Sequence, residues 1–291
     1  MKVDNRGNFT LEIVVVAIII LLILGVIAIT TELSTEKISK SVKSNNIENT
    51  ITETCDYLIN NPGVPFNWDD YKSKRIGLAI VNEDGNIIPN SVSYFKFLEL
   101  GRDYNKLVSN RLFDNMFDSS MELIPLKTSL SSVKIGSRTE SDNVYSVNRI
   151  VKCEFFKKYV VKDFSIEGKC NHNHNKNDYS CNYLKLFKNN LKDFDYYLLI
   201  DESEKNNVEY SYDTTNYKEY HGQTATSTRI YLNNEFKSLF EDEESSVIFI
   251  HFNKKNVKAV LVAVPKDFDK SKLKYDYFIM QPCKFVIKAW N

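Results

Sequence analysis

The sequence carries no net charge: 38 Lys and Arg balance 38 Asp and Glu among 291 residues. A chain so balanced has no electrostatic field with which to grip nucleic acid. Cysteine and proline are sparse, five and six respectively. At this length that excludes a disulfide-stapled mini-protein and leaves room for one sizeable core or two small ones. The fingerprints of common enzymes are missing too. There is no Gly-x-Ser-x-Gly, no His-Glu-x-x-His, no phosphate loop and no dinucleotide motif. No internal repeat is visible, and no βαβ rhythm supports a doubly wound sheet. What the chain does not lack is apolar side chains. At 43% hydrophobic and 13% aromatic it is not disordered as a whole. Its mean hydropathy of −0.35 is an average over unlike parts.

The apolar part is concentrated at one end. Residues 13–29 read IVVVAIIILLILGVIAI, without a charge or a polar side chain. With its flanks the run reaches about 22 residues, or about 33 Å as a helix, enough to cross a bilayer core. No second run compares with it. Lys2 and Arg6 lie in the short tail before it, which predicts a cytoplasmic N-terminus and an extracytoplasmic remainder. The run is too long for a typical signal-peptide core and has no small-x-small cleavage site behind it, so it is expected to stay as an anchor. Glu12 abuts the run. A carboxylate carried toward the bilayer centre costs about 3 kcal/mol. Two readings are open: a functional partner for Glu12, or a position in the headgroup layer.

Arg6-Gly7-Asn8-Phe9-Thr10-Leu11-Glu12, followed directly by the apolar run, resembles the class III signal peptide of type IV pilin-like proteins. The resemblance implies cleavage by a prepilin peptidase between Gly7 and Asn8. Glu12 would then be the fifth mature residue, which in that family pairs with the N-terminal amine of a neighbouring subunit. Asn8 departs from the bacterial Phe and is closer to the archaeal amide at that position. A second segment, Cys55 to Trp68 (CDYLINNPGVPFNW), resembles a leucine, Pro-Gly-x-Pro, Asn-Trp stretch of archaeal pilin-like envelope proteins, including those of methanogens. The resemblance implies a pilin-like, membrane-anchored cell-surface subunit, a minor filament or envelope protein acting by assembly or adhesion. Its partners would be the lipid bilayer, a prepilin peptidase and other pilin-like subunits, with no cofactor and no catalytic residues. The alternative is an unprocessed single-pass signal-anchor protein whose head binds a ligand or a metal. An extracytoplasmic enzyme ranks last.

The expected organisation is a leader over 1–7, a transmembrane and amphipathic helix over 8–61, and an α+β head over 62–291. Leu33, Ile38, Val42, Ile47, Ile51, Cys55 and Leu58 recur at helical spacing between polar residues, so the outer half of the helix should pack on the head. In the head the pattern predicts a hairpin over 75–81 and 86–88, helices over 91–119 and 233–244, and strands over 144–164, 196–200, 247–252, 257–264 and 278–288. The polar NKKN at 253–256 makes a tight connection between two of these.

Chemistry-bearing clusters are few. Cys170, His172, His174 and Cys181 lie within one polar stretch. Three readings stay open: a Cys170–Cys181 disulfide, a weak zinc site whose ligand spacing is poor, or free thiols. Cys153 with Cys283 is a further candidate pair, and Cys55 reads as a small buried hydrophobe. His251 in VIFIHFN reads as a satisfied sheet histidine. His221 lies in a Thr/Ser-rich turn, and the acidic run 241–244 reads as a solvated helix end. The tyrosines of the second half could present a sugar- or partner-binding face, with packing as the default.

Overall fold

One helix, α1 (Arg6–Asn60), runs for 55 residues, about 82 Å. The computed structural model describes residues 6–66, 68, 74–82, 84–126, 130–138, 141, 143–166, 180–214, 222–240 and 243–290, with side chains except at 6–13 and 34–44. The helix stops where covalent geometry stops it. Asn61 precedes Pro62, whose ring disfavours helical backbone at the residue before it. Gly63 then takes φ +80, and a Cβ there would lie 2.5 Å from the Trp68 ring. Trp68 Nε1 donates to the Gly77 carbonyl at 2.8 Å, and Leu78 N–H donates to the Leu58 carbonyl at 2.8 Å. The Pro-Gly/Trp segment is therefore the exit of the helix, folded back against its last turn.

The remaining elements are β1 (Ser91–Ser93), α2 (Tyr94–Arg102), β2 (Asp118–Pro125), β3 (Val133–Gly136), β4 (Val144–Glu154), β5 (Val160–Asp163) and β6 (Ser180–Phe187). They continue with α3 (Asn190–Asp193), β7 (Phe194–Ile200), β8 (Glu209–Thr214), β9 (Gln223–Thr224), β10 (Arg229–Tyr231), α4 (Asn233–Ser238), β11 (Ser245–Phe252), β12 (Ala259–Pro265) and β13 (Met280–Trp290). The architecture is α+β: an N-terminal apolar helix and a β-rich body of three sheets, ordered β1-β4-β13-β2-β3, β10-β7-β12-β5 and β6-β11-β8-β9.

The first sheet carries α1. Strand β4 alternates, with Val147, Val151 and Cys153 buried and Ile150 on the opposite, exposed face, as a sheet covered on one side should. Its antiparallel partner β13 sets Ile287 opposite Val147 and Cys283 opposite Val151. The outer end of α1 packs on these two strands. Ile51, Cys55 and Leu58 are wholly buried, in one cluster with Phe285 and Ile287. Asp56 on α1 grips Arg149 on β4 through two bonds, 2.7 and 2.9 Å. Both groups remain partly solvated, so the pair adds about 1 kcal/mol at most.

The other two sheets form a module inserted between β4 and β13. They enclose a second core of Phe164, Leu186, Leu198, Ile200, Ile250, Phe252 and Leu261. The central strands of the middle sheet, β7 and β12, are buried on both faces. Tyr196, Leu198 and Ile200 of β7 enter the second core, whereas Tyr197 and Leu199 enter the first. That explains why β7 (FDYYLLI) and β12 (AVLVAVP) read as apolar runs without alternation. At the neck between the modules, aromatic rings cluster: Phe156 lies 5.2 Å from Phe268, 5.6 Å from Tyr94 and 5.8 Å from Phe278.

Several local expectations are corrected. Residues 91–119 are not one helical stretch: β1 and α2 are followed by a short π-helix, Asn105–Asn110, and turns with positive φ at Asp114 and Asn115. Their apolar residues Leu107, Val108 and Phe113 still reach the core. The helix expected over 233–244 ends at Ser238. Asn233 does not cap it. Its amide oxygen accepts from Tyr196 N–H at 2.7 Å and its amide nitrogen donates to the Phe194 carbonyl at 2.9 Å, tying the helix to β7. The 75–88 hairpin reduces to an isolated Val81–Ile87 bridge. The strand over 144–164 is divided by the turn Lys157–Tyr159. The NKKN connection joins β11 to β12, which belong to different sheets.

A buried ammonium fastens the helix exit. Lys96 on α2 donates to the Pro62 carbonyl at 2.8 Å and the Ala79 carbonyl at 2.9 Å. Burial pulls its pKa down to about 8, against a smaller opposing effect of Glu154. The unfolded lysine keeps its proton to a pKa near 10.5, so between pH 8 and 10.5 the unfolded state binds more protons and stability rises with pH. Below pH 8 the penalty of the buried charge is fully present. Wild type should therefore gain up to about 3 kcal/mol relative to Lys96→Met across that window. Urea denaturation at pH 7.5, 9 and 10 measures this, and a difference that stays flat with pH would contradict the assignment.

Candidate functional site

Among the described residues, three places offer more than packing. The first is the apolar stretch of α1. Val14–Leu33 has a mean hydropathy of 3.2 over 20 residues and no burial; Leu21 and Leu22 are 68% and 65% exposed. By length and composition it suits a single membrane crossing. Gly7, Asn8 and Glu12 fall in the first two turns of the same helix, and their side chains lie outside the described residues. The helix is unbroken from this stretch to the turns that dock on β4 and β13.

The second place is the face of the third sheet turned away from the second core. Register sets Cys181 on β6 opposite His251 on β11, and His251 opposite Ser211 on β8. His251 is wholly buried, contacts Asp213 Oδ1 through Nε2 at 3.1 Å and stacks on Phe249 at 6.3 Å. It is the satisfied sheet histidine that its strand pattern implies. The Ser211 hydroxyl is buried without a hydrogen-bond partner among the described residues. Cys170, His172 and His174 lie outside the described residues, and so does His221. Cys181 is thus seen beside His251, while each of the readings that join it to Cys170 involves a residue outside that range. Among the described residues no group of three His, Cys, Asp or Glu side chains could hold a metal ion.

The third place is a polar cleft of about 430 Å³ lined by Arg102, Asp103, Asn105, Asp118, Ser119 and Ser137, among others. It opens where α2 gives way to the π-helix, an element often found at functional sites. Tyr104 and Ser119 share a hydrogen bond of 2.9 Å in its buried floor. Burial raises the Tyr104 hydroxyl above its usual range, partly offset by that bond. Two carboxylates, a carboxamide, a guanidinium and several hydroxyls can hydrogen-bond a small polar ligand. Sequence reasoning missed this site because its residues come from four separated segments and share no motif. The π-helix itself carried no local signal. Ser211 and Asp213 were also missed; the polar alternation of EYSYDT was the available clue.

Gly136 shapes the cleft. Its φ is +93, and a Cβ would meet the Tyr104 ring at 2.6 Å and the Ser119 carbonyl at 2.7 Å. Gly85 has a similar φ of +83 with nothing within 4 Å. Gly136→Ala should therefore destabilise by about 2–4 kcal/mol, through strain and clash together, and Gly85→Ala by about 1 kcal/mol through backbone strain alone. Denaturant midpoints of the two variants test the difference, and equal losses would count against the close packing at Gly136.

Comparisons with protein-family models, curated proteins and solved structures find no match to this chain, so the candidate sites rest on their own geometry and chemistry.

Proposed function

We propose that this protein is a pilin-like, membrane-anchored cell-surface subunit that works by assembly or adhesion rather than catalysis. A prepilin peptidase cuts between Gly7 and Asn8, and Glu12 pairs with the new N-terminal amine of a neighbouring subunit. The observation that carries this reading is the form of α1: one continuous helix whose Val14–Leu33 stretch is apolar and exposed and whose last turns are buried on an antiparallel sheet. An exposed apolar helix of this length needs lipid or other helices around it. The short basic tail favours a head outside the cytoplasm. The balanced charge offers nothing to nucleic acid.

The polar cleft beside Tyr104 favours a second reading, a signal-anchor protein whose head binds a small polar ligand. The two readings separate at the N-terminus. Mass spectrometry of the protein from cells with active prepilin peptidase should find a chain beginning at Asn8; a chain retaining Met1 would sink the pilin-like reading. Glu12→Ala should keep the protein in the membrane fraction yet reduce in-cell cross-linking between subunits several-fold. Unchanged cross-linking would favour the simple anchor.

A further inference from the structure

We propose that Cys153 and Cys283 form a disulfide that staples the neck of the inserted module. The proposal rests on the reading that the head lies outside the cytoplasm, where disulfides persist. Cys153 is on β4 and Cys283 on β13, which pair antiparallel with Cys153 opposite Gln281 and Cys283 opposite Val151. The two cysteines are diagonal neighbours on the same inward face of the sheet. Both are completely buried and carry free thiols in the structure; the thiols lie within interaction range of each other, and bridging a diagonal pair draws the two strands slightly together.

Their position in the chain gives the pair its meaning. Strand β4 ends at Glu154 and β13 begins at Met280. Everything in the second core is made from residues between them. A bond between Cys153 and Cys283 would close that whole module into one covalent loop at the point where it leaves and rejoins the first sheet. Cross-linking the ends of a long loop removes freedom chiefly from the unfolded chain.

The thiols are not equivalent. Burial drives Cys153 well above the ordinary thiol range. Cys283 is held below it, first by the Cys153 thiol and also by the Cys153 backbone N–H. Before the strands close these shifts are absent, and either cysteine can attack as its thiolate, for instance Cys283. It displaces one thiolate from a low-molecular-weight disulfide or an oxidoreductase disulfide, giving a mixed disulfide. Cys153 then loses its proton and attacks the Cys283 sulfur, releasing the second thiol of the oxidant. Two protein thiols are oxidised and one external disulfide is reduced. Because both cysteines end up buried, the exchange belongs to folding, before α1 and α2 close over them.

The experiment has two arms on the full chain in detergent. In the first, protein from cells is quenched with an alkylating agent and mapped by mass spectrometry without reduction. The expected result is a Cys153–Cys283 linked peptide, lighter by two hydrogens than its reduced halves. In the second, reduced and unfolded protein is refolded in a glutathione redox buffer. The linkage should form, should be absent from Cys153→Ser, and should raise the denaturation midpoint of wild type in a way that reductant abolishes. If refolded protein keeps both thiols, or links either one to Cys55 instead, the pairing is wrong. If the bond forms on refolding but protein from cells carries both thiols reduced, the proposal fails through the location of the head, and the extracytoplasmic reading falls with it.

Discussion

The docking of α1 on β4 and β13 is the contact on which the rest of this molecule depends. Without the helix, the inner face of the first sheet would offer Val151, Phe285 and Ile287 to water, all essentially unexposed in the fold. Burying a large aliphatic or aromatic side chain contributes about 1.5–3 kcal/mol, so the helix and sheet hold each other by area. The Asp56–Arg149 pair adds position more than energy. Its two parallel bonds accept one rotation of the helix and one register of the strand. Lys96 acts at the other edge of the contact, where it closes two carbonyls of the helix exit that would otherwise be buried without donors.

The second module inherits its placement from this contact. The central strands of its middle sheet have no solvent face; Leu199 and Val262 belong to the helix-bearing core and Leu198 and Leu261 to the other. A sheet used on both sides couples two cores that would otherwise be independent. The aromatic cluster around Phe156 completes the coupling at the neck. Destabilisation in one module should therefore be felt in the other.

What the sequence made legible obeys the same physics. Residues 13–29 and the apolar runs of β7 and β12 announce themselves because they have almost no polar interruption, and β11 and β13 do so through their Val, Ile and Phe. The end of α1 was readable from Pro62 and Gly63, where local sterics decide. Strands β2, β6 and β8 were missed because Ser, Lys, Glu and Tyr alternate through them and dilute the signal. The helix expected over 91–119 failed because Leu107, Val108 and Phe113 reach the core from a π-turn and a loop, a periodicity that imitates an α-helix. The cleft was invisible for a different reason: the approach of Asp103, Asp118 and Ser137 is a product of topology. His251 was placed correctly from strand pattern alone, but its neighbours Asp213 and Ser211 are fixed by register across strands.

Strand order in the first sheet bears on how the chain comes off the ribosome. The strand that lies between β4 and β2 is β13, which comes after every other strand in the chain. Until residue 290 has emerged, β4 and β2 have no common partner, and the apolar stripe of α1, among the first residues made, has only part of its landing surface. At about 5–20 residues per second, that interval lasts many seconds. The inserted module, whose strands all lie between β4 and β13, can close first. Synthesis thus allows the inserted module to close before the sheet that holds the helix, the reverse of the order in which the helix and the module are written.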